Sequence, residues 1–189
     1  SVSIFSAFSQ VDSTKTKKTS FAVYPALGSS PETGFMYGII AFMVLKDKNG
    51  ETNEFYRPTS ISPYFLYTQK KQILSALDID VYLKNGLNIN TIIRYFNFPD
   101  FFYGIGNQTD PDHRELYTDR FYRVSGRVMK PVNQNLFVGL LYDLQYNDIR
   151  KVISGGDLES LNAFGINGGR NMGIGPGLVF DTRNSTLYP

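Results

Sequence analysis

Residues 136–147 read Leu-Phe-Val-Gly-Leu-Leu-Tyr-Asp-Leu-Gln-Tyr-Asn, and this stretch decides the fold class. Its even-numbered positions are all apolar or aromatic, whereas Asp143, Gln145 and Asn147 occupy odd-numbered positions. A period of two residues places the two sets on opposite faces of a β-strand. The stretch therefore predicts a strand with one apolar face and one polar face.

The same alternation recurs along the chain, and Pro and Gly residues interrupt it at regular intervals. Helical periodicity is nearly absent. The pattern predicts an all-β protein, an antiparallel up-and-down meander of about eight strands. The predicted strands cover residues 20–27, 35–46, 56–68, 73–83, 87–98, 117–130, 136–147 and 163–182.

Alternation alone does not tell which face meets water, because a soluble lipocalin-type barrel has the same period with its apolar face inward. Two observations favour a membrane barrel. The polar faces carry mostly Asn, Ser, Gly and Asp, rather than the Lys and Glu of solvated strands. Tyr67, Tyr95 and Tyr146 also fall on the apolar face at the same end of their strands, as an interfacial aromatic girdle would. A soluble lipid-binding barrel stays open as an alternative.

The connections between the predicted strands differ in length. The links at 99–116 and 148–162 are the longest, whereas those at 84–86 and 131–135 are short. Long loops at one end and tight turns at the other are typical of outer-membrane barrels, whose long loops face the cell exterior. We therefore predict that the two long links lie outside the cell and that Asn85 and Asn133 lie in the periplasm.

The composition excludes several classes of function. The 189 residues contain no cysteine, which excludes a disulfide scaffold, a thiol nucleophile and a thiolate metal site. A net charge of +2 without a long basic run gives no indication of nucleic-acid binding. The longest apolar stretch, 35–45, is shorter than the roughly 20 residues of a transmembrane helix but long enough for a tilted membrane strand.

The N-terminus predicts the end of a secretory signal peptide. An apolar run over 2–8 is followed by polar residues, and Ala7 and Ser9 provide small residues at the −3 and −1 positions of a cleavage site. We therefore predict a signal-peptide remnant and periplasmic linker in 1–19, and a barrel domain in 20–189. A frayed terminus or an additional short strand is the alternative.

Four segments of the barrel domain form a further pattern. They are Tyr-Pro-Ala-Leu-Gly-Ser-Ser-Pro-Glu-Thr-Gly-Phe (24–35), Phe-Tyr-Gly-Ile-Gly-Asn-Gln-Thr (102–109), Leu-Phe-Val-Gly-Leu (136–140) and Gly-Ile-Gly-Pro-Gly-Leu-Val-Phe-Asp-Thr-Arg-Asn (173–184). In this order they resemble the bacterial surface antigen family, the outer-membrane barrels of BamA/TamA type. The residues that carry the family signature are Gly104, Gly106, Asn107, Gly173, Gly175, Asp181 and Arg183.

The resemblance implies a sixteen-stranded outer-membrane barrel of a Gram-negative bacterium that assembles or exports other proteins. This chain would be the N-terminal half of that barrel, because an open half-barrel leaves two unpaired edges in lipid. Its implied partners are outer-membrane lipid, lipopolysaccharide and client outer-membrane proteins. The chain departs from the family in two respects: cleavage after Ser9 would leave no room for periplasmic POTRA domains, and the Arg-Gly-Phe lid motif of the second half is absent.

The residues indicate no enzyme, cofactor or metal site. His113 is the only histidine, so a Ser–His hydrolase would have one possible base, and a solvated loop explains 110–115 better than a cation site. Gly173, Gly175 and Gly177 lack the Gly-Lys-Ser/Thr of a phosphate loop and are expected to ease the curvature of the wall. A passive pore or structural barrel without insertase activity is the alternative function.

The parity of the apolar positions predicts the register of two hairpins. A three-residue loop at 84–86 pairs Leu83 with Leu87 and places Asp80 opposite Asn90. For the next hairpin we predict a five-residue loop, 131–135, because Pro131 cannot donate to a ladder; Arg123 then lies directly opposite Asp143. Asp181 and Arg183 are expected to pin a periplasmic turn. The charges predicted to face the lumen are Asp78, Asp80, Arg94, Arg123 and Asp143.

Overall fold

The computed structural model of the protein describes residues 19–45, 57–83, 85–106, 114–160 and 165–182. Within these ranges the chain forms one antiparallel sheet of eight strands in the order β1 to β8, which confirms the predicted all-β meander. One helical turn, α1, lies between β7 and β8. The elements are β1 Thr19–Ser30, β2 Gly34–Leu45, β3 Thr59–Thr68, β4 Ile73–Tyr82, β5 Asn88–Phe102, β6 Glu115–Pro131, β7 Leu136–Arg150, α1 Asp157–Ser160 and β8 Gly169–Phe180.

β5 extends further than predicted and includes Pro99. Pro99 pairs with Thr118 of β6. Because the ladder between β4 and β5 ends at Asn97, no strand lies on the other side of Pro99. A proline is tolerated where its missing N–H has no ladder partner. The predicted break at this proline is therefore wrong, and the connection between β5 and β6 is shorter than expected.

The start of β8 also differs from the prediction. The strand begins at Gly169 rather than at residue 163. Gly165 and Gly168 have φ angles of 90° and 75°, and the N–H of Gly168 donates to the carbonyl of Gly165 at 2.8 Å. A turn with left-handed glycines cannot continue a strand, so the connection after β7 extends to this turn.

The hairpin between β4 and β5 has the predicted register. The N–H of Leu83 donates to the carbonyl of Leu87 at 2.9 Å, and Asp80 lies opposite Asn90. Gly86 has a φ of 80°, the left-handed conformation that a three-residue loop requires. The side chain of Asn85 accepts a hydrogen bond from the N–H of Leu87 at 3.1 Å and so closes the turn.

The predicted register of the hairpin between β6 and β7 is wrong by two residues. Gln145, not Asp143, lies opposite Arg123. The cause is Asn133, whose side-chain oxygen accepts hydrogen bonds from the N–H groups of Asn135 at 3.0 Å and Leu136 at 2.8 Å. This local side-chain bonding reverses the chain in three residues rather than five. A shift of two residues leaves every side chain on the same face of the sheet. The predicted division of the side chains between the two faces is therefore correct.

The seven registers carry one division of faces through the whole sheet. Odd-numbered residues of β1 to β5 and even-numbered residues of β6 to β8 share one face, which we call the apolar face. The opposite side is the polar face. The turns at 83–87 and 131–136 mark the hairpin end of the sheet, and the connections after β5 and β7 mark the loop end. The only large apolar side chains buried among the described residues are Met129 and Leu158.

Gly126 allows three strands to approach closely on the apolar face. It lies opposite Thr91 on one side and Tyr142 on the other, and the two hydroxyl oxygens of these neighbours are 2.6 Å apart. A Cβ atom at position 126 would lie 2.1 Å from the carbonyl oxygen of Asn90 and 2.6 Å from the hydroxyl of Tyr142. This arrangement of Thr91 and Tyr142 therefore requires glycine at position 126.

We expect Gly126→Ala to lower the free energy of unfolding by roughly 1–3 kcal/mol, because the backbone of β5 must shift to accept the methyl group. Gly173→Ala is the matched control, since a Cβ atom there meets nothing within 4 Å. Its effect should stay within about 0.5 kcal/mol. Equilibrium urea titration of the two variants measures the difference, and equal effects would contradict the close approach at Gly126.

Candidate functional site

The apolar face is continuous across the sheet and exposed. Ile174 on β8 keeps 78% of its surface exposed, and Phe21 on β1 keeps 63%. Soluble proteins rarely expose a contiguous apolar patch of more than a few hundred Å². Such a face marks a site of contact with a membrane, a protein partner or an apolar ligand. Other exposed members are Ile39, Phe65, Ile93 and Leu144.

Charged residues border this face at both ends. On β6, Arg120 lies toward the loop end and Lys130 toward the hairpin end, ten residues apart. At about 3.3 Å per residue this is about 33 Å of strand. A strand tilted by about 40° would give a band about 25 Å high, the height of the apolar band of outer-membrane barrels. The other charged residues on this face of the described strands are Asp148, Arg150 and Arg170, all toward the loop end.

Tyrosines line the loop-end border of the apolar face. Tyr95, Tyr122 and Tyr146 lie directly opposite one another on β5, β6 and β7, with ring centroids 5.0 and 6.1 Å apart. We call these three residues the tyrosine row. Tyr37 and Tyr67 form a similar pair on β2 and β3, with centroids 5.9 Å apart. The structure thus confirms the predicted placement of Tyr67, Tyr95 and Tyr146 on one face at one end.

The polar face carries all five charges that were predicted to face a lumen, and they form two separate groups of contacts. On β4, Asp78 accepts a hydrogen bond from the side chain of Asn90 at 3.0 Å. Asp80 accepts one from Asn88 at 2.6 Å. Both carboxylates are therefore bonded to asparagines of β5, and Arg94 lies on the same strand as these asparagines.

The predicted ion pair between Arg123 and Asp143 forms despite the changed register. The Nε of Arg123 donates to Oδ1 of Asp143 at 2.9 Å, and its Nη2 contacts Oδ2. The two residues are diagonal neighbours on the ladder, where Cβ atoms are about 7–8 Å apart and long side chains still meet. Arg123 also lies directly opposite Arg94, so Asp143 lies within electrostatic range of both cations.

A salt bridge at the hairpin end joins the two halves of the sheet. Nη1 of Arg57, before β3, lies 3.3 Å from Oδ2 of Asp181, after β8. The Arg57 guanidinium also lies 5.8 Å from the ring centroid of Tyr82. Arg57 could not be identified from the sequence, because its partner is 124 residues away. The salt bridge and Tyr82 line a shallow cleft that opens to solvent, and the other residues of its lining are Asn88, Arg127, Met129, Phe137 and Val179.

This salt bridge establishes the direction in which the sheet curves. In a flat sheet, β3 and β8 would be five strand spacings apart, about 24 Å. A contact between two side chains does not bridge that distance, so the sheet bends strongly toward the salt bridge. The side chains lining the cleft, such as Tyr82, Arg127 and Val179, belong to the polar face. The polar face is therefore concave and the apolar face convex.

The backbone of Asp181 contacts a turn. Its N–H donates to the carbonyl of Asn135 at 2.8 Å, which ties the end of β8 to the turn between β6 and β7. Its carboxylate is only 9% exposed. Arg183, the second residue predicted for this role, lies outside the described residues.

The signature glycines fall in two places. Gly104 and Gly106, after β5, have φ angles of 90° and 110°, which favour glycine over other residues. Gly173 and Gly175 lie on the concave face of β8, where a Cβ atom would meet nothing within 4 Å. No contact among the described residues requires glycine at these last two positions. Asn107 lies outside the described residues.

Within the described part of the chain, no cluster of His, Asp or Glu side chains is arranged to hold a metal ion. His113 and most of its acidic neighbours lie outside that part. None of the described helices has the length and apolar character to span a membrane.

Comparisons of the chain with protein-family models, with curated proteins and with solved structures find no match. The resemblance to barrels of BamA/TamA type therefore rests on the four quoted segments and stays a prediction.

We expect Arg57→Met to lower the free energy of unfolding by roughly 1–3 kcal/mol, because the buried carboxylate of Asp181 loses a charged hydrogen-bond partner. Arg150→Met is the control, since its bridge to Asp148 lies on the surface and should contribute less than about 1 kcal/mol. Urea titration followed by circular dichroism compares the two. A smaller loss at Arg57 than at Arg150 would argue against a structural role of the long-range bridge.

Proposed function

We propose that the protein is an integral outer-membrane β-barrel protein and that residues 20–189 form the N-terminal half of a larger barrel. The observation that carries the proposal is the direction of curvature. The salt bridge between Arg57 and Asp181 makes the polar face concave, so the continuous apolar face points outward. A barrel with a polar interior and an apolar exterior is the arrangement that a bilayer requires.

The curvature disfavours the soluble alternative. A soluble lipid-binding barrel keeps its apolar residues inside, around the ligand. Here the concave side carries Asp78, Arg94, Arg123 and Asp143, and most of the exposed large apolar side chains of the strands are on the other side. With the observed registers, an inward apolar face would require the sheet to curve in the opposite direction.

The two edges of the sheet favour a barrel with additional strands. Among the described residues, β1 pairs only with β2, and β8 pairs only with β7. An unpaired edge in hydrocarbon leaves backbone N–H and carbonyl groups without partners, at a cost of several kcal/mol each. In a membrane, both edges therefore need further strands as neighbours.

Assembly or translocation of other outer-membrane proteins is the activity that we propose for this barrel. It rests on the resemblance of the four segments to the BamA/TamA type. A passive pore is the second candidate, and the charged concave face favours it, since such a face would suit a water-filled lumen. Full-length protein in vesicles distinguishes the two: faster folding of an added outer-membrane client supports assembly, whereas ion conductance without any effect on clients supports a pore.

Two leucines of β7 test the membrane location directly. Leu144, near the middle of the convex face, is 46% exposed, and Leu141, on the concave face, is 44% exposed. We expect Leu144→Arg to lower stability in lipid by about 2–4 kcal/mol, because the guanidinium enters hydrocarbon. Leu141→Arg places the same group in a wet lumen and should change stability by less than about 1 kcal/mol. Urea titration in phosphatidylcholine vesicles compares them, and equal losses would contradict the proposal.

The two ends of the sheet should face different compartments. Asp157 in α1 is exposed at the loop end, and Asn85 is exposed at the hairpin end. Since long loops face the exterior, Asp157→Cys should react with an impermeant maleimide on intact cells, and Asn85→Cys only after permeabilisation. Labelling of Asn85→Cys alone on intact cells would reverse the orientation.

A further inference from the structure

The loop end of the convex face carries three arginines, Arg120 on β6, Arg150 on β7 and Arg170 on β8, which we call the arginine belt. The register brings them together, because Arg120 lies opposite Asp148 and Arg150 follows Asp148 by two residues. Asp148 is the only carboxylate on this part of the convex face of the described strands. Three arginines and one aspartate give the belt a net charge of +2.

The belt lies at the border of the tyrosine row. Arg120 lies two residues beyond Tyr122 toward the loop end. Arg170 lies opposite Tyr146, with its guanidinium 5.4 Å from the ring centroid. Tyrosines of membrane barrels lie at the level of the lipid headgroups. The belt would therefore reach the layer of the headgroup phosphates.

Contacts within the protein orient two of these guanidiniums. The Nε of Arg150 donates to Oδ2 of Asp148 at 2.7 Å, and the Nε of Arg120 donates to Oδ1 of Asn97 at 3.4 Å. A guanidinium has five N–H donors, so bonds through Nε leave the terminal nitrogens available. The Arg150 side chain is 57% exposed. Such donors match phosphate oxygens in bidentate geometry.

We propose that the arginine belt binds the phosphate groups of the anionic lipid in the outer leaflet, with bisphosphorylated lipid A as the lipid that fits it. This inference rests on the proposed function, which places the convex face in the membrane and the loop end outside. The charge asymmetry of the face supports it. At the hairpin end of the same face the described strands carry one cation, Lys130, whereas the loop end carries a cluster.

The test measures binding of purified lipid A to the full-length protein in detergent micelles by native mass spectrometry. Lipid A with both phosphates removed is the comparison ligand, since its acyl chains are unchanged. The double variant Arg150→Gln/Arg170→Gln removes two charges from the belt. Arg94→Gln/Lys130→Gln removes two charges from the concave face and the hairpin end, and is the matched control.

We expect bisphosphorylated lipid A to bind at least about tenfold more tightly than the dephosphorylated lipid, and the belt variant to lose most of that preference. The control variant should retain it within about twofold. Equal binding of the two lipids overturns the proposal, as does a belt variant that behaves like the control. If the belt variant does not fold, the comparison of the two lipids on the unmodified protein decides the matter.

Failure of this inference is distinguishable from failure of the proposed function. Insertion of the unmodified protein into phosphatidylcholine vesicles tests the membrane location without lipid A. Protein that inserts there but does not discriminate the two forms of lipid A contradicts the arginine belt alone. Protein that inserts into no vesicle contradicts the proposed function and the inference together.

Discussion

Backbone pairing between antiparallel strands is the constraint on which the rest of the structure depends. Because side chains alternate across a strand, a slip of one residue in any hairpin would turn all later apolar residues to the other side of the sheet. All seven registers preserve one division of faces, even where prolines interrupt the alternation. Pro63 illustrates this, since the ladder between β2 and β3 is broken around it and resumes in the same register at Ile61. Each turn therefore keeps the apolar residues of its two strands on the same side. Together the turns produce two chemically distinct faces over the whole sheet.

The sequence was sufficient to predict the number of strands, their order and both faces, because these depend on a period of two residues that is visible in one dimension. It was also sufficient for the turn at Gly86, where one left-handed glycine selects the loop length. The turn at Asn133 was not predictable in the same way, because a loop of three or five residues preserves parity equally well. There the choice depends on side-chain hydrogen bonds of Asn133. The predicted ion pair between Arg123 and Asp143 forms although the predicted register was wrong, because a long side chain reaches diagonal as well as direct neighbours.

The curvature of the sheet could not be predicted from the sequence. It is the sum of small twists and coils over many strand pairs, and no single residue encodes it. Its clearest expression is the contact of Arg57 with Asp181, two residues with no feature in common in the sequence. Yet the curvature decides which face is outside, and this distinguishes a membrane barrel from a soluble barrel. The orientation of the two faces thus depends on a bend that one long-range salt bridge reveals, whereas the apolar face itself was evident from the alternation.

The hydrogen bonds of the convex face agree with a non-aqueous environment. Polar side chains are rare in the middle of this face, and those present bond within the protein: Ser75 donates to the carbonyl of Tyr95 at 3.1 Å, and the hydroxyls of Thr91 and Tyr142 meet at 2.6 Å. In water these hydroxyls would gain little from such bonds, because solvent offers equivalent partners. In hydrocarbon an unpaired hydroxyl costs several kcal/mol, so internal pairing becomes necessary. The same reasoning accounts for Gly126, whose missing side chain lets Tyr142 reach Thr91 across an intervening strand. A glycine that weakens the sheet locally thereby satisfies two polar groups that a bilayer would leave without partners.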